Sequence, residues 1–285
     1  MRSLLYVPAH SERFIARAHE RGADAIILDL EDSVAPEHKA AARAGLERSV
    51  AAVRRGGARV FVRINAGDDR RTDDAVAACR AGADGLVVPK VRQSDRLAAL
   101  ATALEAIEQQ MGRRPLHFIA LIEDPAAVLN ASAIAHAPRL LGLATGGEDL
   151  ATALGARPTP DVLRLPKLLV HYAAKARGLL SLGLLRTIAD YTDLGAIELA
   201  VQEAKEHGFD GATCIHPSTI PLLNAGFSPD AAEVDWAKRV MAEAGHQAGA
   251  FAMDGRMIDA PVIARARALL ELGQARGEAG DAGQD

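Results

Sequence analysis

The feature that most constrains this chain is a repeated alternation of short aliphatic or β-branched runs with longer Ala-rich amphipathic stretches. The runs are Leu4–Val7, Ala25–Leu30, Val60–Ile64, Leu86–Val88, His117–Ile122, Leu140–Ala144, Leu179–Leu185 and Thr213–Ile215. Helical patterns lie between them, among them His38–Val53, Asp95–Gln110, Pro125–Ala135 and Gly195–Glu206. Strands that alternate with helices imply parallel pairing through β–α–β units. About eight such units in about 250 residues fit a closed (β/α)8 barrel better than an open doubly wound sheet. No glycine-rich phosphate fingerprint follows the first run, which weakens the open-sheet alternative further.

The end of the chain breaks the alternation. The barrel is expected over residues 1–226, and C-terminal helices with an arm over 227–272. That region holds a helix near Asp230–Ala244, the segment AMDGRMIDAPV and a closing helix from about Val262 to Leu272. Residues 273–285, rich in Gly, Glu, Asp and Gln, read as a disordered tail.

Composition narrows the function. A formal charge of −4 argues against a nucleic-acid partner, which would leave a basic stripe. An anionic substrate would need local positive charge, from a few Arg or Lys residues or from a metal. The two cysteines, Cys79 and Cys214, form neither a CxxC pair nor a disulfide framework, which fits a reducing cytoplasm. The opening MRSLLYVPA is too short for a secretion signal, and no apolar run approaches the roughly 20 residues of a membrane span. A soluble protein without membrane contact is expected.

In such a barrel the active site lies where the strands end. The strand exits carry Asp29, Glu31 and Asp32, then Arg63 and Asn65, Lys90, Glu123, Glu148 and Asp149, Arg186, and His216. Any one of these reads equally well as a loop charge or helix cap, but a ring of them converging on one mouth reads as a site. Glu123 and Asp149 end neighbouring runs and form a hard-oxygen pair suited to Mg2+, with water and substrate completing the shell. Asp124 precedes Pro125 and is assigned to capping, not to the metal. Glu148 is open to a supporting or a capping role, and Gly146 and Gly147 leave room for a ligand near the backbone. The planar fork of Arg63 could hold a carboxylate or a developing thioester enolate. Lys90 suits an electrostatic role better than a Schiff base, and His216 suits orienting a neighbouring carboxylate.

The segments RSLLYVPA, ILDLEDSVAPEHK, VRIN, VVPK, LIE, GEDLA, IHPS and DGRMIDAPV occur in this order. With them the chain, from about Arg2 to Leu272, resembles the citrate lyase β-subunit-like family of the phosphoenolpyruvate/pyruvate-binding barrels. The resemblance implies a Mg2+-dependent carbon–carbon lyase. Its substrate would be a 3-hydroxyacyl thioester of the citryl-, citramalyl- or malyl-CoA type, and its products acetyl-CoA and a 2-oxo acid. It implies Glu123 and Asp149 as metal ligands, with Arg63 binding substrate and steadying the enolate. Glu31 and Asp32 would hold metal-bound waters. Lys90 and Arg186 join the residues facing substrate, and Arg186 at the seventh exit points to a subfamily with a different acid portion. Asp259 would be the acid/base, lent by a neighbouring subunit of a homotrimer; the residues alone equally allow Asp259 to cap the closing helix.

Four other readings share parts of this pattern. They are a class II aldolase acting on free 2-oxo acids, malate-synthase-like condensation, thioester hydrolysis, and a non-catalytic subunit of an acyl-carrier complex. The joint presence of Arg63, Glu123, Asp149 and Asp259 argues against the last.

Overall fold

The computed structural model describes residues 1–247 and 249–281. Eight parallel strands run β1 Ser3–Pro8, β2 Ala25–Asp29, β3 Arg59–Arg63, β4 Gly85–Val88, β5 His117–Ile122, β6 Leu140–Thr145, β7 Leu180–Leu182 and β8 Ala212–Cys214. Their order is β7-β6-β5-β4-β3-β2-β1-β8. The seam between β7 and β8 is bridged where Leu182 pairs in parallel with Gly211 and Gly183 N–H donates to the Gly211 carbonyl at 2.8 Å. The expected barrel is therefore present, with its strands where the aliphatic runs placed them.

Period-two alternation sorts each strand into two buried layers. Leu4, Ala25, Ile27, Phe61, Val87, Ile119, Leu121 and Leu182 fill the lumen. Their neighbours, such as Leu5, Ile26, Leu28, Val60, Val62, Leu86, Val88 and Ala120, pack in the outer core with helix residues such as Val50, Ala78, Leu97 and Leu104. Continuing the lumen parity one step past the plug brings Asp29, Arg63 and Glu123 to the open end of the barrel.

The barrel helices are α1 Glu12–Ala18, α2 Lys39–Ala44, α3 Leu46–Arg54, α4 Asp68–Arg80, α5 Ser94–Gln110, α6 Pro125–Leu129, α7 Ala131–Ile134, α8 Gly147–Ala153, α9 Pro160–Lys175, α10 Leu194–Glu206 and α11 Ile220–Gly226. Several depart from the sequence pattern. The expected helix His38–Val53 is two helices meeting at Gly45, and Pro125–Ala135 is likewise divided at Asn130. The polar stretch after Arg63, which shows no helical stripe, is mostly α4, whose Asp68 and Asp69 lie in the first turn and complement the helix dipole. The run Leu179–Leu185 yields only a three-residue strand, because Gly183 turns away at φ 152° and Leu184 and Leu185 pack in the outer core.

The chain forms two compact units, Met1–Phe227 and a second that begins at Ser228. The second comprises α12 Ala231–Ala244, the antiparallel hairpin β9 Phe251–Met253 and β10 Arg256–Ile258, and α13 Ala260–Asp281. Asp230 and Glu233 form a reciprocal capping box on α12. The hairpin turns on Asp254 and Gly255, both at positive φ (51° and 72°), as a two-residue type I′ connection requires. Ala237, Val240, Ile258 and Ala266 are the buried core of this unit. The closing helix reaches Asp281, well past Leu272, and the last four residues of the expected tail lie outside the described residues.

Candidate active site

Asp29 and Arg63 are register partners across β2 and β3, so their side chains emerge side by side at the barrel mouth. They form a bidentate pair, Arg63 Nε to Asp29 Oδ1 and Nη2 to Oδ2, both 2.7 Å. Asp29 also accepts from Glu31 N–H, Ser33 N–H and Ser33 Oγ. Burial works against the Asp29 charge, but the Arg63 guanidinium and these donors outweigh it and hold the carboxyl below its usual range. Beneath the guanidinium lies the Tyr6 ring, whose centroid is 4.9 Å from Arg63 Cζ. The Nε–Nη2 edge of Arg63 is not free for a substrate carboxylate, because Asp29 occupies it. The outward group is Nη1, which lies 3.2 Å from Glu31 Oε2 and 3.1 Å from Asp32 Oδ2.

Glu31 is buried, and neither of its carboxylate oxygens accepts a hydrogen bond. Burial is the main reason its pKa rises to about 7; the Asp32 and Glu123 charges add to it, and Arg63 and Lys90 oppose it. The β2 exit that carries Glu31 is held from behind by Lys39 of α2. Its ammonium donates to the Leu30 and Glu31 carbonyls at 2.8 and 2.6 Å and to Asn65 Oδ1 at 2.7 Å. Asn65 in turn donates to the buried Asp74, which pairs with Arg43. Asn65 is thus an anchor of the mouth and not a member of the site.

Glu123 follows β5 and is also buried. Its Oε2 accepts the Lys90 N–H at 2.7 Å. Lys90 has φ 52°, a left-handed conformation uncommon for a residue with a side chain, and this strain coincides with that hydrogen bond. Burial, with a contribution from Asp149, lifts the Glu123 carboxyl to about 7 despite Lys90 N–H and the Arg63 charge. Asp149 is in the first turn of α8. The glycine before that helix has a specific function: a Cβ on Gly146 would stand 2.6 Å from Glu123 Cγ and Oε1. Gly146 thus makes room for the Glu123 side chain itself, where the sequence suggested room for a ligand.

The Lys90 ammonium is 3.5 Å from Glu31 Oε1. Burial lowers its pKa, but Glu31, Asp32, Asp149 and Glu123 together more than reverse this, so Lys90 stays a cation. Asp124 caps α6 by accepting from Ala127 N–H at 2.9 Å, as expected. Glu148 accepts from the Thr187 hydroxyl. Arg186 has its Nη2 3.5 Å from Asp190, and its buried Nε has no hydrogen-bond partner among the described residues. His216, expected to orient a carboxylate, has its Nδ1 engaged by Ser218 and its ring stacked on Tyr191 at 4.8 Å. Asp259, in the second unit, accepts from Val262 N–H at 3.4 Å with its side chain and from Ile263 N–H with its carbonyl, at the start of α13.

The mouth therefore gathers Asp29, Glu31, Asp32, Glu123 and Asp149 against Arg63, Lys90 and Lys39. Two of the carboxylates have raised pKa values, and the Glu31 oxygens, though near Arg63 and Lys90, accept no hydrogen bond among the described residues. A hard divalent cation relieves that imbalance, and all-oxygen donors are the kind Mg2+ prefers. Among the described residues no three His, Cys, Asp or Glu side chains converge as a complete metal cage. Glu123 and Asp149 are near enough for the Asp149 charge to act on the Glu123 carboxyl, and both offer the oxygen donors that Mg2+ takes. Sequence reasoning did not single out Tyr6 and Lys39. Tyr6 was accessible from its lumen parity in β1; Lys39, reaching over from a helix, gave no periodic signal.

Among the described residues no helix is long and apolar enough to cross a membrane. The family model for HpcH/HpaI aldolase/citrate lyase matches residues 2–217. A (3S)-malyl-CoA thioesterase of Cereibacter sphaeroides is 37% identical over 96% of this chain and 95% of its own. The citrate lyase subunit beta of Escherichia coli is 32% identical over 97% and 94%. The structure of CitE from Mycobacterium tuberculosis, in complex with magnesium, acetoacetate and coenzyme A, superposes with a TM-score of 0.78 at 31% identity, covering 95% of this chain and 98% of that one. With this barrel and this acidic mouth, the chain belongs to the HpcH/HpaI aldolase/citrate lyase family.

Proposed function

We propose that the chain is a Mg2+-dependent carbon–carbon lyase that cleaves a 3-hydroxyacyl-CoA thioester to acetyl-CoA and a 2-oxo acid. The observation that carries this reading is the pairing of a two-carboxylate site, Glu123 and Asp149, with the clamped guanidinium of Arg63 at one barrel mouth. Bound there, Mg2+ would supply Lewis-acid polarisation of the substrate oxygen that becomes the new carbonyl. Asp29 fixes the Arg63 plane, so Nη1 presents a preorganised positive charge where the thioester oxygen gains negative charge as the bond between C2 and C3 breaks. A base takes the hydroxyl proton; the bond's electron pair passes onto the thioester as an enolate, and a proton delivered to carbon completes acetyl-CoA. Lys90 adds positive charge beside Glu31, and Glu31 and Asp32 hold water at the mouth. Arg186 faces the acid portion.

Asp259 is the proposed acid/base, acting on the barrel of a neighbouring subunit in a homotrimer of the cytoplasm. The family resemblance and the motif AMDGRMIDAP support this. Mixing inactive Asp259→Ala protomers with inactive Glu123→Ala protomers is expected to restore activity at interfaces that combine an intact arm with an intact barrel. Subunits shown to exchange while the mixture stays dead would leave Asp259 as a helix cap only.

Gly146→Ala is expected to displace Glu123 without disturbing the core. A misplacement of about 1 Å is enough to cost about 10²-fold in kcat/KM. Unaltered kcat/KM in a folded Gly146→Ala protein would mean that the Glu123 position is not critical.

A second reading, net thioester hydrolysis at the same site, is favoured by the relative named for malyl-CoA hydrolysis. The test of function is a panel of 3-hydroxyacyl-CoA esters incubated with the purified chain and Mg2+, read by mass spectrometry. Turnover that EDTA abolishes supports the reading; no turnover of any ester removes it.

A further inference from the structure

We propose that Lys167 is a positioning residue for the metal-binding edge of the mouth, holding the β7 exit against the start of α8. This rests on the reading of Glu123 and Asp149 as a metal site. Lys167 lies in the middle of α9 and is 4% exposed, an uncommon location for an ammonium group. It donates to the carbonyls of Leu184 and Arg186, both at 2.9 Å. These are loop carbonyls past Gly183, where β7 has ended and no ladder satisfies them. The same segment continues to Thr187, whose hydroxyl donates to Glu148, the residue next to Asp149. Gly147, at the start of α8, packs against the other side of the same lysine: a Cβ there would be 3.7 Å from Lys167 Cε and 3.1 Å from Leu163 Cδ1.

A buried lysine is a poor choice for stability alone, because an apolar chain of similar length would avoid the desolvation of its charge. Here that charge is spent on two backbone carbonyls and, more distantly, on Glu148, whose negative charge supports it. The chain of contacts runs Lys167, Leu184–Arg186, Thr187, Glu148, and ends beside Asp149. Lys167 touches no reacting atom in this arrangement. It fixes the exit of a three-residue strand, and through Thr187 it fixes the first turn of α8.

The test measures metal binding directly, using Mn2+ titration followed by electron paramagnetic resonance with pyruvate present, together with steady-state kinetics and thermal unfolding. Lys167→Met is expected to weaken Mn2+ binding by roughly 10- to 100-fold, as loss of a group supporting a metal ligand typically does. Thr187→Val, which removes the link to Glu148 together with the bond the same oxygen accepts from Ala189 N–H, is expected to weaken it in the same direction, by up to about 10-fold. Lys175→Met, a lysine of the same helix paired with Asp210, is the control and should bind Mn2+ as the wild type does. A residue that merely packs would lower the unfolding temperature and leave the Mn2+ affinity of the folded protein unchanged. Wild-type affinity in folded Lys167→Met and in Thr187→Val overturns the proposal, and if Lys167→Met does not fold, Thr187→Val decides alone. Absence of Mn2+ binding in the wild type would instead overturn the two-carboxylate reading itself.

Discussion

Glu123→Gln and Asp149→Asn are each expected to reduce kcat/KM by at least about 10³-fold, while the metal-free protein unfolds at nearly the wild-type temperature. The size follows from the several kcal/mol that a bound metal contributes to charge stabilisation, each 1.36 kcal/mol being tenfold in rate. The small effect on folding follows from the site itself. Burial already disfavours the Glu123 anion, whose pKa is raised to about 7, so replacing it by an amide relieves a cost and removes little. Metal binding followed by calorimetry should be lost in parallel with activity. Near wild-type turnover in both variants in the presence of EDTA would show that these carboxylates hold no catalytic metal.

Arg63→Lys is expected to lower kcat by about 10²-fold or more. A lysine keeps the charge, but it cannot grip both Asp29 oxygens and still direct a second nitrogen towards Glu31 and Asp32, as Arg63 does. It also leaves Asp29, 1% exposed, with a carboxylate whose main partner is gone. The variant should therefore lose some stability as well, and the two losses can be separated. Asp29→Asn, made in the Arg63 background, should destabilise the mouth in a similar way while retaining more of kcat than Arg63→Lys does. If Arg63→Lys alters KM alone, the guanidinium clamps the acid portion of the substrate and does not act on the developing enolate.

The barrel was legible in the sequence because its strands are buried on both faces. Ile26 and Ile27, or Val60 and Phe61, must both be apolar although they point in opposite directions, and such runs stand out in an otherwise mixed chain. Where that double burial stops, legibility stops with it. Strand β7 has three residues, and the leucines after Gly183 belong to the outer core, so the run overstated the strand. Helix α4 starts DDRRTDD and buries Asp74, Ala75, Ala78 and Cys79, too few apolar positions to show a helical stripe.

The site residues were visible as charges at strand ends, but their partnerships were not. That Asp29 takes the fork of Arg63 depends on the register of β2 against β3. That Gly146 clears space for Glu123 depends on how closely β6 ends beside β5. The lysines behind the loops, Lys39 and Lys167, act from helices onto backbone carbonyls, and no spacing in the sequence links a lysine to the carbonyl it satisfies.

A mouth that breaks a carbon–carbon bond releases products that differ from those of hydrolysis. The most direct measurement follows the first minutes of reaction of the purified chain with Mg2+ and a malyl-CoA ester, quantifying every CoA species and every acid by mass spectrometry. Acetyl-CoA and a 2-oxo acid are expected in equal amounts from the start, without an equivalent of free CoA. Free CoA and intact hydroxy acid appearing together, with no acetyl-CoA at any time, would contradict it and make the site a thioesterase.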